Sequence, residues 1–367
     1  MRHLFFAAAI AGAAFAMPAN GYEIGSENPV KPADDIHETI TQLAEQCLAA
    51  APAGPIDCRS YLPRIASEST RHQREPSTSL VYATRWPDDP TRMLDSARSA
   101  PKFGVTLFRD CGPYIGSGQR IDQAGMLCSS HYGRLSFLHA MQQPGMGETP
   151  AQTRELMLAG ASFAFDVATD DAVRTANYCQ AVAALPSARL RDALTLADEG
   201  KCERRRKRFL FIPTGWYEPW TVQTMFAFEC RNPIGSGRCG EGTGDLGRDR
   251  AVSAATGAIL HMIQDSFSQS HVYRAPNAAG ADEDGPFQPR IVCQAPQAFF
   301  DYNVQMAAGS KVHSAADSDP EIDSSCTAAG RAVDDPITAT ANAIRFIRAG
   351  DRAAFDAYLA ARVFPAA

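Results

Sequence analysis

The chain has 367 residues, 45% of them hydrophobic and 21% charged, with a formal net charge of −6. That balance describes a folded protein of one or two domains and excludes a disordered chain. The acidic balance also argues against a general nucleic-acid coat protein. Ten cysteines ask about compartment, since a chain of this length needs no disulfides to build a core; with only eight histidines, where each one sits matters.

The N-terminus reads Met1-Arg2-His3, an apolar run from Leu4 to Phe15, and Ala14-Phe15-Ala16. A charged start, a short apolar region and a small-x-small site predict a secretory signal peptide over residues 1–16. The run is shorter than the roughly 20 residues of a membrane span, and no later stretch is apolar enough for one. Cleavage there removes Arg2 and no acid, which takes the net charge from −6 to −7.

Residues 17–34 read as a polar arm with Pro29 and Pro32. A helix is predicted over 35–50 after Asp35. Residues 51–120, rich in Pro, Ser and Arg, read as an irregular insertion. Helical patterning returns at 131–141, 150–169, 171–184 and 188–199. A basic run, Arg204-Arg205-Arg206-Lys207-Arg208, leads into Phe209, Phe211, Trp216, Tyr217 and Trp220, and the irregular region 201–250 ends in a Gly-rich stretch. Residues 251–274 hold no proline and one glycine and predict a long helix, followed by a Gly/Pro/Asp loop over 275–292. Further helices are expected at 295–308, 311–317, 336–348 and 351–362. No strand alternation is convincing. The fold class is therefore mainly α, a single multi-helix domain over 17–367 with long disulfide-clamped loops.

An exported chain makes the cysteines legible. Cys47, Cys58, Cys111, Cys128, Cys179, Cys202, Cys230, Cys239, Cys293 and Cys326 are even in number and never spaced Cys-x-x-Cys, so disulfides are favoured over thiolate metal sites or a redox motif. Spacing alone does not fix their connectivity, but Cys47–Cys58 and Cys230–Cys239 are natural local pairs. Gly235-Ser236-Gly237-Arg238-Cys239-Gly240 matches a dinucleotide-loop pattern, yet no strand precedes it and no helix follows it in the reading, so a clamped loop is the better account. No Gly-x-Ser-x-Gly elbow is present to supply a hydrolase serine.

Two spacings carry chemistry. His261 and Asp265 are four apart on the long helix, with His271 beyond; His313 and Asp317 repeat the i, i+4 relation. Residues i and i+4 share a helix face, so each pair can grip one cation. One such pair is ordinarily a surface contact worth a few tenths of a kcal/mol. Two pairs plus His271, in a chain poor in histidine, favour metal ligation. Imidazole and carboxylate ligands without thiolates point to zinc in an open, catalytic site. His139, in Phe137-Leu138-His139-Ala140-Met141, reads as a hydrogen-bonded core histidine, and His72 as a solvated loop residue.

The pattern His-x3-Asp-x5-His with a later His-x3-Asp resembles the family of zinc-dependent phospholipases C and single-strand zinc nucleases. The resemblance implies an all-helical secreted enzyme with two or three zinc ions. It assigns His261 and Asp265 to a first zinc, and His271, His313 and Asp317 to a second. It assigns His37 to a third zinc, with Asp265 bridging. Ser130-His131-Tyr132 fits the family's Ser-His-aromatic motif, preceded by a carboxylate that is Asp122 or Asp110, with Asp122 preferred as a ligand or as the residue orienting the attacking water. Gln269 stands where the family usually has proline, and the chain offers no N-terminal tryptophan. The implied activity is a secreted or periplasmic zinc-dependent phosphodiesterase, most readily a phospholipase C whose basic and aromatic stretch makes peripheral contact with a membrane surface. The alternatives are a single-strand zinc nuclease, in which the same stretch stacks bases, and a non-catalytic secreted binding protein with vestigial ligands.

Overall fold

The computed structural model describes residues 36–50, 54–68, 79–90, 126–195, 199–209, 212–229, 240–241, 244–274, 290–302 and 321–366, together with Arg92, Phe103, Val105, Cys111 and Gly112. Among the described residues helix far outweighs strand, so the chain is mainly α as its periodicity predicts. The signal peptide, the arm over 17–34 and the pair Cys230–Cys239 lie outside the described residues.

Local signals start and stop the elements. Helix α1 (Ile36–Ala50) buries Ile36, Ile40, Leu43, Ala44 and Cys47, one apolar stripe at helical spacing. The single-turn α2 (Leu80–Ala83) begins at Ser79, whose hydroxyl accepts from the Tyr82 amide. Helix α3 (Met126–Tyr132) is followed by a 3-10 turn, Ser136–His139, which ends at Ala140 in the left-handed region at φ 53°. Helix α4 (Pro150–Thr169) opens with proline at its first position and a reciprocal Thr149–Gln152 capping box. Helix α5 (Gly244–Asp265) and helix α6 (Pro336–Ala349) complete the frame. Asp335 caps the start of α6, and Gly350 at φ 66° ends it. Shorter helices at Tyr178–Ala183, Ala188–Leu194 and Arg352–Tyr358 decorate this frame.

Helix α5 is the central element. Its buried residues Ala251, Ala255, Ala258, Ile259, Leu260, Met262 and Ile263 surround the axis, so it packs on α2, α4 and α6 at once. Two glycines decide how closely the neighbours approach. A Cβ on Gly257 would lie 2.1 Å from the Ala83 carbonyl oxygen, so only glycine lets α2 rest on α5. A Cβ on Gly160 of α4 would lie 2.3 Å from the Phe137 ring, so glycine also admits the Ser136–His139 turn. These two contacts seat the loops that complete the site described below.

The structure corrects several boundaries. The long helix runs over 244–265, not 251–274. Beyond Asp265 serine side chains compete for backbone partners, with the Ser266 hydroxyl donating to the Ile263 carbonyl at 2.6 Å and Ser268 bonding Ser270 at 2.6 Å. Buried Arg274 then closes the helix end, donating to the carbonyls of Ser266 at 2.7 Å and Val363 at 3.0 Å. Val272–Tyr273 pairs antiparallel with Ala298–Phe299, where a helix over 295–308 is expected. The basic run and the aromatic stretch are strands β1 (Arg205–Phe209) and β2 (Ile212–Tyr217), an antiparallel hairpin with an irregularity at Lys207/Arg208. A run of like charges has no apolar alternation, which is why its strand character leaves no periodic trace.

Disulfides join Cys47 to Cys58, as their spacing predicts, and Cys111 to Cys128, Cys179 to Cys202 and Cys293 to Cys326. The loop-clamping role expected of the cysteines therefore holds for these four pairs. Among the described residues no helix is long and apolar enough to cross a membrane.

Candidate metal centre

Five of the predicted ligands converge. His37 arrives from α1, His131 from α3, His261 and Asp265 from the last turns of α5, and His271 from just past the helix end. All are fully buried. Two residues that spacing did not single out complete the cluster: His139, from the turn seated on Gly160, and Asp88, from the turn that follows α2. His139 is buried, as its apolar neighbours predict, but it is a member of the site and not a bystander in the core. The carboxylate beside His131 is Asp88, 3.7 Å from its Nε2. The predicted site residues Asp122, His313 and Asp317 lie outside the described residues, as do Asp110 and His72.

The ligand atoms fall into two groups that could each hold a metal ion, His37–His261–Asp265 and Asp88–His131–His139, each with its donor atoms within 4.8 Å of one another. The groups adjoin. His139 Nδ1 lies 3.0 Å from both Asp265 Oδ2 and His261 Nε2, and 3.8 Å from Asp88. Asp265 faces four imidazoles, with His261 at 3.0 Å, His139 at 3.0 Å, His37 at 3.4 Å and His271 at 3.5 Å.

The surroundings orient these rings. His261 Nδ1 donates to the Thr84 carbonyl at 2.8 Å, His131 Nδ1 to the Leu127 carbonyl at 2.8 Å, and His37 Nδ1 to Gln264 Oε1 at 2.7 Å. His271 Nδ1 reaches the His139 carbonyl at 2.6 Å. A ring that donates through Nδ1 keeps its Nε2 lone pair for a cation, the arrangement that fixes tautomer and orientation in metal sites. Gln264 is held in turn by Thr41 at 2.9 Å, so α1 and α5 are tied together at the His37 anchor. The His139 carbonyl is aimed by the left-handed backbone at Ala140, an uncommon state for a residue with a side chain.

The cluster holds its two carboxylates ionised and two of its imidazoles low. Burial, with help from the neighbouring His261 and His131 charges, pushes the His139 imidazole down to about 4, so it is neutral at physiological pH. Burial also lowers His271. Burial alone would raise Asp265, but His271, His261 and His37 hold it well below the usual carboxylate range. Burial would raise Asp88 too, but His261, His131 and His139 lower it. Both Asp88 carboxylate oxygens and the Nε2 atoms of His131 and His139 are buried without a hydrogen-bond partner. Buried polar atoms in native folds are rarely left so unless something else satisfies them. A cation between them would.

Proximity in sequence announced little of this second group. Asp88 sits in Trp86-Pro87-Asp88-Asp89-Pro90, a proline-bounded turn with no ligand spacing. The one available signal for His139 was its placement eight residues after His131 in a chain with eight histidines. Compared with protein-family models, with curated proteins and with solved structures, the chain finds no match.

Proposed function

We propose that this chain is a zinc-dependent phosphoric diester hydrolase acting outside the cytoplasm, of the phospholipase C kind. The observation that carries the reading is the pair of adjoining His/Asp groups, buried, with His261, His131 and His37 oriented through Nδ1. Nitrogen and carboxylate donors without thiolate fit zinc in a hydrolytic site better than a structural thiolate site. When held there, zinc supplies Lewis acidity that polarises a phosphoryl oxygen and acidifies water. The side chains do the rest. His261, His131 and His37 are locked in one tautomer by their oxygen partners and cannot swing away from a cation. Asp265 ties the two groups together, and Asp88 presents two carboxylate oxygens that can accept a proton or orient water.

The phospholipase preference rests on the hairpin. The Arg204 and Arg206 guanidiniums lie 4.7 Å and 5.1 Å from the centre of the exposed Trp216 ring. An amphipathic ring flanked by arginines suits the interface of an anionic bilayer. The same exposed ring favours a second reading, a single-strand nuclease stacking bases upon it. Disulfides and the leader-like N-terminus are compatible with export.

Elemental analysis of the purified protein after zinc supplementation should return two or three zinc ions per chain. A metal-free protein would sink the enzyme reading and leave a non-catalytic binding protein. Parallel assays on phosphatidylcholine vesicles and single-stranded DNA decide the substrate: release of phosphocholine supports the phospholipase, and cleavage of DNA alone transfers the site to the nuclease reading.

A further inference from the structure

We infer that residues 290–302 form a strap that positions His139 and His271 for metal, and that the Cys293–Cys326 disulfide keeps this strap in place; the role rests on the metal centre and not on the diesterase activity proposed for it. Phe300 is the point of attachment. Its amide donates to the His271 carbonyl at 2.9 Å, and its own carbonyl accepts the Gln142 amide at 2.9 Å. One residue therefore ties the turn that carries His271 to the chain just beyond the turn that carries His139. Two residues on, the buried Tyr302 ring lies 5.6 Å from the ring of His131, 5.9 Å from that of His139 and 6.2 Å from that of His271. The strap so reaches both imidazoles of the Asp88–His131–His139 group and the His271 ring beside them.

The backbone pairing that lays the strap down is short. Ala298–Phe299 pairs with Val272–Tyr273, two residues against two, and Arg290–Ile291 pairs with Glu321–Ile322 in the same way. Ser268 and Ile291 form one isolated bridge, and Arg274 donates to the Gln294 carbonyl. Isolated two-stranded pairings are marginal in water, so a covalent tie decides whether these persist. Buried Cys293 is joined to buried Cys326, 33 residues further along the chain. Around that bond the Cys293 amide donates to the Ser325 hydroxyl at 3.0 Å, and the Asp323 amide to the Ile291 carbonyl at 3.0 Å. The disulfide confines the strap near its anchor, so each short ladder forms between ends already brought together.

The two metal groups differ in how much they depend on it. His37, His261 and Asp265 ride on α1 and α5, long helices that pack through their own apolar residues. His139 and His271 ride on turns, and a ligand on a turn is only as well placed as the backbone bonds around it. Residues that orient ligands from behind tune the affinity of a site without touching the cation. The strap is such a positioning device, acting through His139 and His271. With the tie opened, the His37–His261–Asp265 group should keep its geometry and the Asp88–His131–His139 group should lose it.

Competition between the full chain and a chelating dye for zinc tests the tie, with wild type and Cys293→Ala/Cys326→Ala run side by side. The variant should hold one zinc about 10–100-fold more weakly than wild type, with the remaining zinc bound as before. Cobalt in place of zinc gives a second readout, since its visible absorption reports ligand geometry and should change for the weakened ion alone. Cys179→Ala/Cys202→Ala opens another disulfide, across 23 residues that include none of the ligands, and controls for lost stability. It should leave zinc affinity and the cobalt spectrum unchanged. Wild-type affinity in Cys293→Ala/Cys326→Ala, or an equal loss in the control pair, overturns the proposal. Should the first variant fail to fold, Tyr302→Ala must show the same loss, and Tyr302→Phe, which keeps a ring against the three imidazoles, must restore it; wild-type affinity in Tyr302→Ala overturns the proposal. A wild-type chain that binds no zinc removes the strap's role together with the centre. Zinc binding that depends on the disulfide in a protein with no hydrolytic activity retains the strap while removing the diesterase.

Discussion

Asp265 and His37 show how single residues divide the work. Asp265 is ionised because four imidazoles face it, and each of those contacts is one a cation would replace or share. Burial opposes a charge on His37, yet Asp265 and Asp88 outweigh it and raise its pKa above the ordinary 6.5. A group raised in the fold stabilises the metal-free protein fully below pH 6.5, and that stabilisation is lost as pH rises through the folded value. Zinc must displace the His37 proton, so zinc affinity should climb with pH through that value and then level off. Calorimetry in buffers of different ionisation enthalpy should count a proton released at neutral pH; zinc binding with no proton release would contradict this. Asp88 is a cleaner probe of the second group. The imidazoles of His261, His131 and His139 hold it ionised, so Asp88→Asn removes a charge that the metal-free fold stabilises. That variant should bind one zinc fewer than wild type, and its chelated form should melt lower at neutral pH. An unchanged zinc count would exclude Asp88 as a ligand. The sequence could reveal His261 and Asp265 because one helix face joins them, but Asp88 and His139 reach the site by tertiary approach, which leaves no spacing to read.

Elements position these residues through close backbone approach. Gly257 lets α2 lie against α5, so that the Thr84 carbonyl meets His261 and the following turn delivers Asp88. Gly257→Ala would set a methyl against the Ala83 backbone, which cannot rotate aside. It should cost about 1–3 kcal/mol of stability and weaken zinc binding as α2 moves off. Denaturant unfolding and zinc titration of the variant check both, and a variant with wild-type affinity would detach α2 from the site. Gly160→Ala meets the Phe137 ring and should disturb the His139 turn by the same logic. The helices with strong signals were legible from their helical patterning, α1 with its apolar stripe, α4 and α6. The early stop of α5 was not, because serine hydroxyls and the distant Arg274 end it where composition permits more helix. Nor was the β1–β2 hairpin, whose pairing lies in backbone bonds and in arginines over Trp216.

At the scale of the whole molecule, two kinds of cross-link hold one frame. The disulfides fasten loops to the helices, with Cys128 three residues before His131 on α3. The metal groups would cross-link the helices themselves, joining α1, α3, α5 and the two glycine-seated turns. Chelation should therefore loosen the packing around the metal groups and leave the disulfide-held loops in place. A ligand at 100 times its Kd contributes about 2.7 kcal/mol, so chelation should lower Tm by several degrees with little loss of far-UV helix signal. Opening the Cys111–Cys128 loop, 17 residues apart, by Cys111→Ala/Cys128→Ala should cost about 3 kcal/mol. The two losses would share one helix, because α3 is held at Cys128 by sulfur and, in the proposed site, would be held at His131 by the cation. Their sum should therefore depart from additivity, as it does for residues in contact: chelation should cost the disulfide-free variant more than it costs wild type. Melting curves of both proteins, with and without chelator, measure that coupling. Strict additivity would mean that His131 takes no part in metal binding, and the second group would then reduce to buried contacts among Asp88, His139 and their neighbours.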